Sequence, residues 1–371
     1  MISMNIAIST NSIWNFLKFR KGLAKSFQKR GYKIFLLSKN DKYKKNIPKN
    51  IKFIEIPINR SPISIVNDLL LIIFFFKIFK KNKINLFLGF SHKINIYGGF
   101  VSKIKNIKCI LNLTGLGTAF IKNNLIKKII FTFYKIIKFK KSFFLFHNNQ
   151  DRNLFISNNI LDKKNCFLVP GSGIKVVKKK IKKLHKRNFI LFTFIGRLLI
   201  HKGLLEFLKA SEETIRINQD KNIFFNIVGS IDEANVSSIN KNLILKYHKN
   251  ERINFLGYKE NVNNFIIKSD CIVLPSYREG LPRTILESLL LERPVIATNV
   301  PGCNRIIKNN FNGILCKSKS SNSLIKAMNK FINLSLGERS KLAHNGRKFV
   351  EKNFDEKHVI NKYLKIIHHG K

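Results

Sequence analysis

Short apolar runs recur along this 371-residue chain, separated by longer stretches in which apolar positions return every three or four residues. In the first half the runs fall at Asn5–Ser9, Lys33–Leu37, Phe53–Ile56, Asn85–Phe90, Lys108–Leu113, Phe143–His147 and Cys166–Val169. Helical periodicity fills the gaps, at Phe16–Lys29, Ile65–Lys80, Asn95–Lys105 and Leu125–Phe139. In the second half the runs lie at Phe189–Ile195, Phe224–Val228, Ile253–Leu256, Cys271–Leu274, Pro294–Ala297 and Gly313–Leu315. Runs rich in Ile, Phe and Val without polar alternation predict strands buried on both faces. Their alternation with helices predicts parallel sheets with helices on either side.

The pattern breaks once. After the segment VPGSGI, which ends at Ile174, comes KVVKKKIKKLHKRN, basic and poor in large core residues, and then a fresh strand. The expected organisation is α/β: an N-terminal doubly wound, Rossmann-like domain over 1–174, a basic linker over 175–188, and a second such domain over 189–350. An amphipathic closing helix is expected over 351–371. Two such domains facing one another would leave a cleft at their strand C-terminal ends, where open parallel sheets bind ligands.

Composition changes this picture in one respect. Lys and Arg number 69 against 21 Asp and Glu, for a net charge of +48. Such a surface favours anionic partners, whether nucleic acid, anionic lipid or a phosphorylated substrate. The joint excess of Lys, Ile, Asn and Phe also fits compositional drift. The five cysteines (Cys109, Cys166, Cys271, Cys303, Cys316) are widely spaced and form no C-x-x-C pair. Buried reduced thiols are expected, not a zinc site or a disulfide framework. No signal peptide is expected, since the chain enters a strand-like run directly. The longest apolar run, Leu69–Phe76, is far short of the roughly 20 residues that span a bilayer.

Candidate chemistry concentrates in the second half. In SYREGLPRTILES, Glu279 precedes a helix start, Gly280 permits a tight backbone turn, and Pro282 suits the first helical turn, where its missing N–H costs nothing. The free N–H groups of that turn make an anion site. Glu287 lies farther along the helix. Two carboxylates at different depths can accept hydrogen bonds from two sugars; taken alone, they equally fit a capping acid and a surface acid. Upstream, IGRLLIHKG ends a buried strand at Gly196–Arg197 and opens the next helix with Lys202–Gly203. An Arg fork and a Lys point charge above strand ends can clamp a diphosphate.

Together GRLLIHKG, FNIVGS, INFLGYKENV, SDCIVLPSYREGLPRTILES, PVIATNVPG and NGILC resemble the retaining family-4 glycosyltransferases of GT-B fold. The spacing of Glu279 and Glu287, with seven residues between them, matches that family's paired glutamates. The resemblance implies that Arg197 and Lys202 neutralise the donor diphosphate, that Glu279 holds the transferred sugar and Glu287 the ribose. It also implies that Gly280, Leu281 and Pro282 line the sugar and phosphate pocket, with Gly229 and Tyr258 near the base. No D-x-D pair occurs in the chain, so no metal and no other cofactor is expected.

On the acceptor side, TGLGTAF begins at Thr114, where many relatives carry His, and Gly115 follows. His92, in GFSHKIN, is the candidate substitute near the acceptor hydroxyl; a plain loop histidine is the other reading. Arg20, in NFLKFRKGL, is a weaker candidate for the acceptor diphosphate. The usual Gly-Gly loop after the first strand is replaced by STNSIWN. The SHKIN…YGGF and TGLG segments resemble transferases that extend sugars on polyprenyl diphosphates. The resemblance implies a nucleotide-diphosphate sugar donor, a lipid-linked acceptor and a place on the inner face of the cytoplasmic membrane. Leu125–Lys141, basic and amphipathic, is the expected contact with anionic lipid; its apolar stripe also suits a core-facing helix. A nucleotide-sugar epimerase of related fold is the alternative enzyme. A nucleic-acid-binding protein is the alternative of another class, although the lysines are spread and no recognised motif appears.

Overall fold

The structure, a computed structural model, describes residues 4–58, 65–115, 124–176, 184, 186–232, 235 and 237–368. The chain forms two compact units: residues 1–173 with 356–371, and residues 174–355. Most of the stretch expected as a linker, 177–183 and 185, lies outside the described residues.

The first unit runs β1 (Asn5–Thr10), α1 (Ile13–Phe19), α2 (Lys21–Gln28), β2 (Lys33–Ser38), β3 (Ile51–Glu55), α3 (Ile65–Lys81), β4 (Leu86–Gly89) and α4 (His92–Ile104). It continues with β5 (Lys108–Leu113), α5 (Asn124–Ile136), β6 (Ser142–Phe146), α6 (Asn149–Ser157) and β7 (Cys166–Leu168). The strands form one seven-stranded sheet in the order β3-β2-β1-β4-β5-β6-β7, and every pairing is parallel. Successive side chains of a strand point to opposite faces, and both faces are covered. Ala7, Phe87, Leu111 and Phe144 pack beneath Phe75 and Phe79 of α3, Val101 of α4 and Tyr134 of α5. Ile6, Ile8, Leu88 and Ile110 pack on the other side beneath Phe16 of α1 and Leu23 and Phe27 of α2.

Two helices differ from expectation. The single helix expected over Phe16–Lys29 is broken at Arg20, whose φ of −128° leaves the helical region and whose guanidinium stacks 4.1 Å above the Phe90 ring. The closing helix expected from Glu351 is also divided. Its first residues finish α13 (Leu336–Phe354), and α14 (Glu356–His368) starts anew. The break falls where the amide of Ile174 donates to the Phe354 carbonyl at 2.8 Å. After it the chain rejoins the first unit, burying Val359, Tyr363, Ile366 and Ile367 in the same core as Phe16 and Leu23.

The second unit holds β8 (Ile190–Ile195), α7 (Leu204–Ile217), β9 (Ile223–Val228), α8 (Lys241–His248), β10 (Ile253–Gly257), α9 (Asn263–Lys268), β11 (Cys271–Leu274) and α10 (Arg283–Leu290). There follow β12 (Val295–Thr298), α11 (Cys303–Ile306), β13 (Ile314–Cys316), α12 (Ser321–Ile332) and α13. Its sheet is parallel, in the order β10-β9-β8-β11-β12-β13. Phe207 of α7 and Phe331 of α12 pack on Phe192 and Phe225. On the other face Ile285 and Leu289 of α10 and Val350 of α13 pack on Ile272 and Val295. Arg293 is only 1 % exposed in this unit. Its guanidinium donates to the carbonyls of Ile267, Leu291 and Glu292, so buried charge and buried acceptors satisfy each other. All five cysteines are buried and unpaired, and burial raises every thiol pKa, which keeps them protonated and unreactive.

Candidate functional site

In each sheet the strand order reverses direction at one place: between β1 and β4 in the first unit, and between β8 and β11 in the second. The loops leaving such a pair of strands run to opposite sides and open a crevice at their C-terminal ends. Of the residues singled out by sequence, Gly196, Arg197 and Lys202 follow β8, Glu279 follows β11 and His92 follows β4.

In the second unit β8 ends at Ile195, and Gly196 and Arg197 follow. A tight turn over Ile200–Lys202 then leads to Gly203. Gly203 has φ +75°, and a Cβ there would lie 2.0 Å from the Pro275 carbonyl oxygen. Only glycine lets the exit of β11 press on the exit of β8 this closely. The Tyr277 amide donates to the His201 carbonyl at 2.9 Å, and the Tyr277 hydroxyl donates to Glu206 Oε1 at 2.7 Å. This contact carries Glu279 to Lys202, with Nζ 2.5 Å from Oε1. Behind Glu279, Gly302 has φ +83°, and a Cβ there would come within 2.5 Å of the Gly280 oxygen and 2.7 Å of the Glu279 oxygen. The Thr298 hydroxyl also holds the Ser276 carbonyl. The loop bearing Glu279 is therefore fixed from two sides.

Arg197 is more open. Its side chain is 55 % exposed and donates from Nη1 to Asp232 Oδ2 at 2.9 Å. His201, a residue sequence reasoning passed over, feels Lys202, Arg197 and Glu279. Burial, then the charges of Lys202 and Arg197, press its pKa down to about 4, against an opposing pull from Glu279. Lys202, Arg197 and Glu279 thus all act on one imidazole, which is neutral at pH 7.

The helix after the loop, α10, begins one residue later than expected. Pro282 is its N-cap, with φ −72° and ψ 118°, and no side chain caps it. Glu287 accepts from Arg283 Nε at 2.8 Å, one turn back; Arg283 was not foreseen. Gly280 is buried and Leu281 half-buried at the turn. Along the same sheet edge the Gly229 amide donates to the Gly257 carbonyl at 3.0 Å, and Tyr258 stands 51 % exposed beyond β10. Tyr258, Gly229, Gly196–Arg197 and Glu279 therefore follow β10, β9, β8 and β11 in spatial order.

In the first unit, Ser12 caps α1 by accepting from the Asn15 amide, so the STNSIWN segment starts a helix without a glycine loop. Ser91 Oγ donates to Asn11 Oδ1 at 2.7 Å, which joins the ends of β1 and β4. His92 opens α4. Its Nδ1 lies 3.0 Å from the Tyr134 hydroxyl and its Nε2 3.2 Å from the Gly115 carbonyl. A carbonyl only accepts, so Nε2 carries the proton and Nδ1 accepts from Tyr134. Burial lowers the pKa of this ring, and the Gly115 contact opposes it. Both ring nitrogens are engaged, one with Tyr134 and one with Gly115. Thr114 and Gly115 are half-buried after β5; the rest of TGLGTAF lies outside the described residues. Arg20 is only 5 % exposed. It stacks on Phe90, just after β4.

Residues 175–349 match the family described as glycosyl transferases group 1, and residues 6–149 match glycosyl transferase 4-like. An Escherichia coli UDP-Gal:alpha-D-GlcNAc-diphosphoundecaprenol alpha-1,3-galactosyltransferase is 29 % identical over 72 % of this chain and 71 % of its own. The N,N'-diacetylbacillosaminyl-diphospho-undecaprenol alpha-1,3-N-acetylgalactosaminyltransferase of Campylobacter jejuni is 26 % identical over 98 % of both chains. A solved glycosyltransferase from Rickettsia africae superposes with a TM-score of 0.77 at 18 % identity over 100 % of both chains. Anabaena HepE, solved with UDP and glucose, gives 0.77 at 15 % identity over 99 % and 100 %. The fold is GT-B.

Proposed function

Because the chain belongs to the group 1 glycosyltransferases, we propose that it moves a hexose or N-acetylhexosamine from a nucleotide-diphosphate sugar to a polyprenyl-diphosphate-linked glycan, with retention of anomeric configuration. The observation that carries this reading is the meeting of Lys202 and Glu279 at the reversal point of the second sheet. A cation for the leaving diphosphate and an acceptor for sugar hydroxyls stand within one ligand's length. Support for the lipid-linked acceptor and for UDP comes from the Escherichia coli relative, whose name states both.

In this reading the bond between the sugar C1 and the diphosphate oxygen breaks, and its electron pair stays on the phosphate. Lys202, Arg197 and the backbone N–H groups at the start of α10 face that charge. Donors already in place are worth roughly 3–4 kcal/mol each. Glu279 accepts from hydroxyls of the transferred sugar, and Glu287, aligned by Arg283, accepts from the ribose. Gly280, Leu281 and Pro282 line the sugar and phosphate, with Gly229 and Tyr258 toward the base. The acceptor hydroxyl attacks C1 on the face the diphosphate leaves, and its proton passes to the departing phosphate oxygen. In the first unit His92 holds the Gly115 backbone beside Thr114, and these shape the acceptor side.

The reading also places the protein on the inner face of the cytoplasmic membrane. Leu125, Ile129, Phe133 and Ile136 of α5 are exposed, whereas Phe131, Tyr134 and Ile137 take the core positions. Lys128 and Lys135 flank this outward stripe. The test is mass spectrometry of transfer from a panel of nucleotide sugars to polyprenyl-diphosphate glycans. One donor gives a product heavier by one sugar, and Glu279→Gln and Arg197→Ala each abolish it. Near-wild-type turnover in both variants contradicts the assignment.

A further inference from the structure

On the helical layer of the first unit, α3 is apolar where a surface helix normally carries polar side chains. Val66, Leu69, Leu70 and Ile73 are 68 %, 55 %, 49 % and 49 % exposed, at the i, i+3, i+4, i+7 spacing of one helical stripe. The opposite side buries Leu71, Phe75 and Phe79 in the core. The exposed stripe continues toward the helix end as Lys77, Lys80 and Lys81. A contiguous apolar stripe left exposed on a surface helix marks a site of contact with a partner or a membrane.

The stripe on α3 and the stripe on α5 belong to the same face of the sheet, because both helices pack into one core with α4. Side chains of α4 tie them together. Lys93 Nζ lies 2.8 Å from Asp68 Oδ1 of α3, and Lys103 Nζ donates to the Ile136 carbonyl of α5 at 2.7 Å.

Charge selects the occupant. The sequences of α3, α4 and α5 contain one acidic residue, Asp68, and it is buried against Lys93. A second copy of this chain would bring the same basic face and repel it. An anionic lipid leaflet offers both acyl chains for the apolar stripe and phosphates for the lysines. Among the described residues no helix is long and apolar enough to cross a membrane, so α3 lies along the surface.

We propose that α3 is the apolar insertion element of a two-helix docking face for an anionic bilayer, its stripe entering the acyl boundary while lysines of α3 and α5 meet headgroup phosphates. The inference rests on the lipid-linked acceptor proposed above and assigns the surface that reaches it.

The experiment uses the full chain and co-sedimentation with phosphatidylglycerol–phosphatidylcholine vesicles, at about 0.1 M and about 1 M salt. The combined variant Val66→Ser, Leu69→Gln, Leu70→Gln, Ile73→Ser changes only exposed side chains and keeps the circular dichroism of the wild type. Its vesicle partition falls about tenfold at both salts, whereas Lys127→Gln, Lys128→Gln, Lys135→Gln loses binding mainly at low salt. Transfer to a short-chain, water-soluble acceptor is equal in wild type and the stripe variant, and transfer to vesicle-embedded acceptor drops. Wild-type partition of the stripe variant overturns the proposal. So does sedimentation velocity showing a wild-type dimer, without vesicles, that the variant turns into a monomer. No transfer by the wild type to the soluble acceptor refutes the transferase reading and leaves the vesicle result standing by itself.

Discussion

Lys202 Nζ stands 2.5 Å from Glu279 Oε1, across 77 residues of sequence. The pair is mostly buried, with side-chain exposures of 20 % and 12 %. The cation that would meet a diphosphate is therefore held in place by the carboxylate that would meet the sugar.

Glu279→Gln keeps the shape of the side chain and removes its charge. The expected result is a fall in kcat/KM of about a hundredfold or more, with an unchanged circular dichroism spectrum. Lys202→Met lowers kcat/KM as much and also lowers Tm, because it strands a mostly buried carboxylate. The double variant loses less than the sum of the two, since both act on one bound donor. Additive losses in steady-state kinetics contradict a shared ligand.

Gly302 carries no side chain and touches no expected ligand, yet Gly302→Ala should impair transfer. Its Cβ would sit 2.5 Å from the Gly280 oxygen, at a φ of +83°. The strain costs about 1–3 kcal/mol of stability, and the displaced Glu279 loop lowers kcat/KM about tenfold or more. A variant that loses stability but keeps full kcat/KM when assayed well below its Tm shows that the loop position is not critical.

Arg293 separates packing from chemistry. Arg293→Met leaves the carbonyls of Ile267, Leu291 and Glu292 without their buried donor. At roughly 1–3 kcal/mol for each unsatisfied group, chemical denaturation should show a loss of at least about 3 kcal/mol. Nucleotide affinity at low temperature stays at the wild-type value. A smaller loss means the carbonyls find water.

Most of the architecture was legible because its signal is local. All thirteen expected strands appear among the described residues within two residues of their expected ends, since runs such as Cys271–Leu274 are buried on both faces and tolerate no polar alternation. Arg20 and Asp355 were misread because each break depends on distant partners, Phe90 and Ile174. At the site, Arg197, Lys202, Glu279 and Glu287 stood in short local motifs that resemble a known family. Asp232, His201, Arg283 and Gly302 were passed over, because their relevance lies in what they touch. Gly302 alone left a usable trace, in the Pro-Gly that follows β12. His92 was found by its place after β4, but only its two partners reveal that its nitrogens are engaged.

His201 gives a pH signature. In the unfolded chain it titrates near its ordinary 6.5, and in the folded protein near 4. Between these values the unfolded state binds more protons, so stability falls as pH falls from about 6.5 to about 4. His92, also lowered, adds in the same direction. His201→Asn should flatten part of the Tm decline in that window and leave Tm above pH 7 little changed. An identical slope in variant and wild type would mean that the imidazole is already solvated.

The central claim is that a nucleotide diphosphate is held where β8 and β11 diverge. Titration calorimetry of UDP into the wild type and into Lys202→Met tests it most directly. The account predicts micromolar-range binding that weakens at least about tenfold in the variant, the loss of one charge-assisted contact. Equal affinity in the two proteins would place the diphosphate elsewhere and contradict the account.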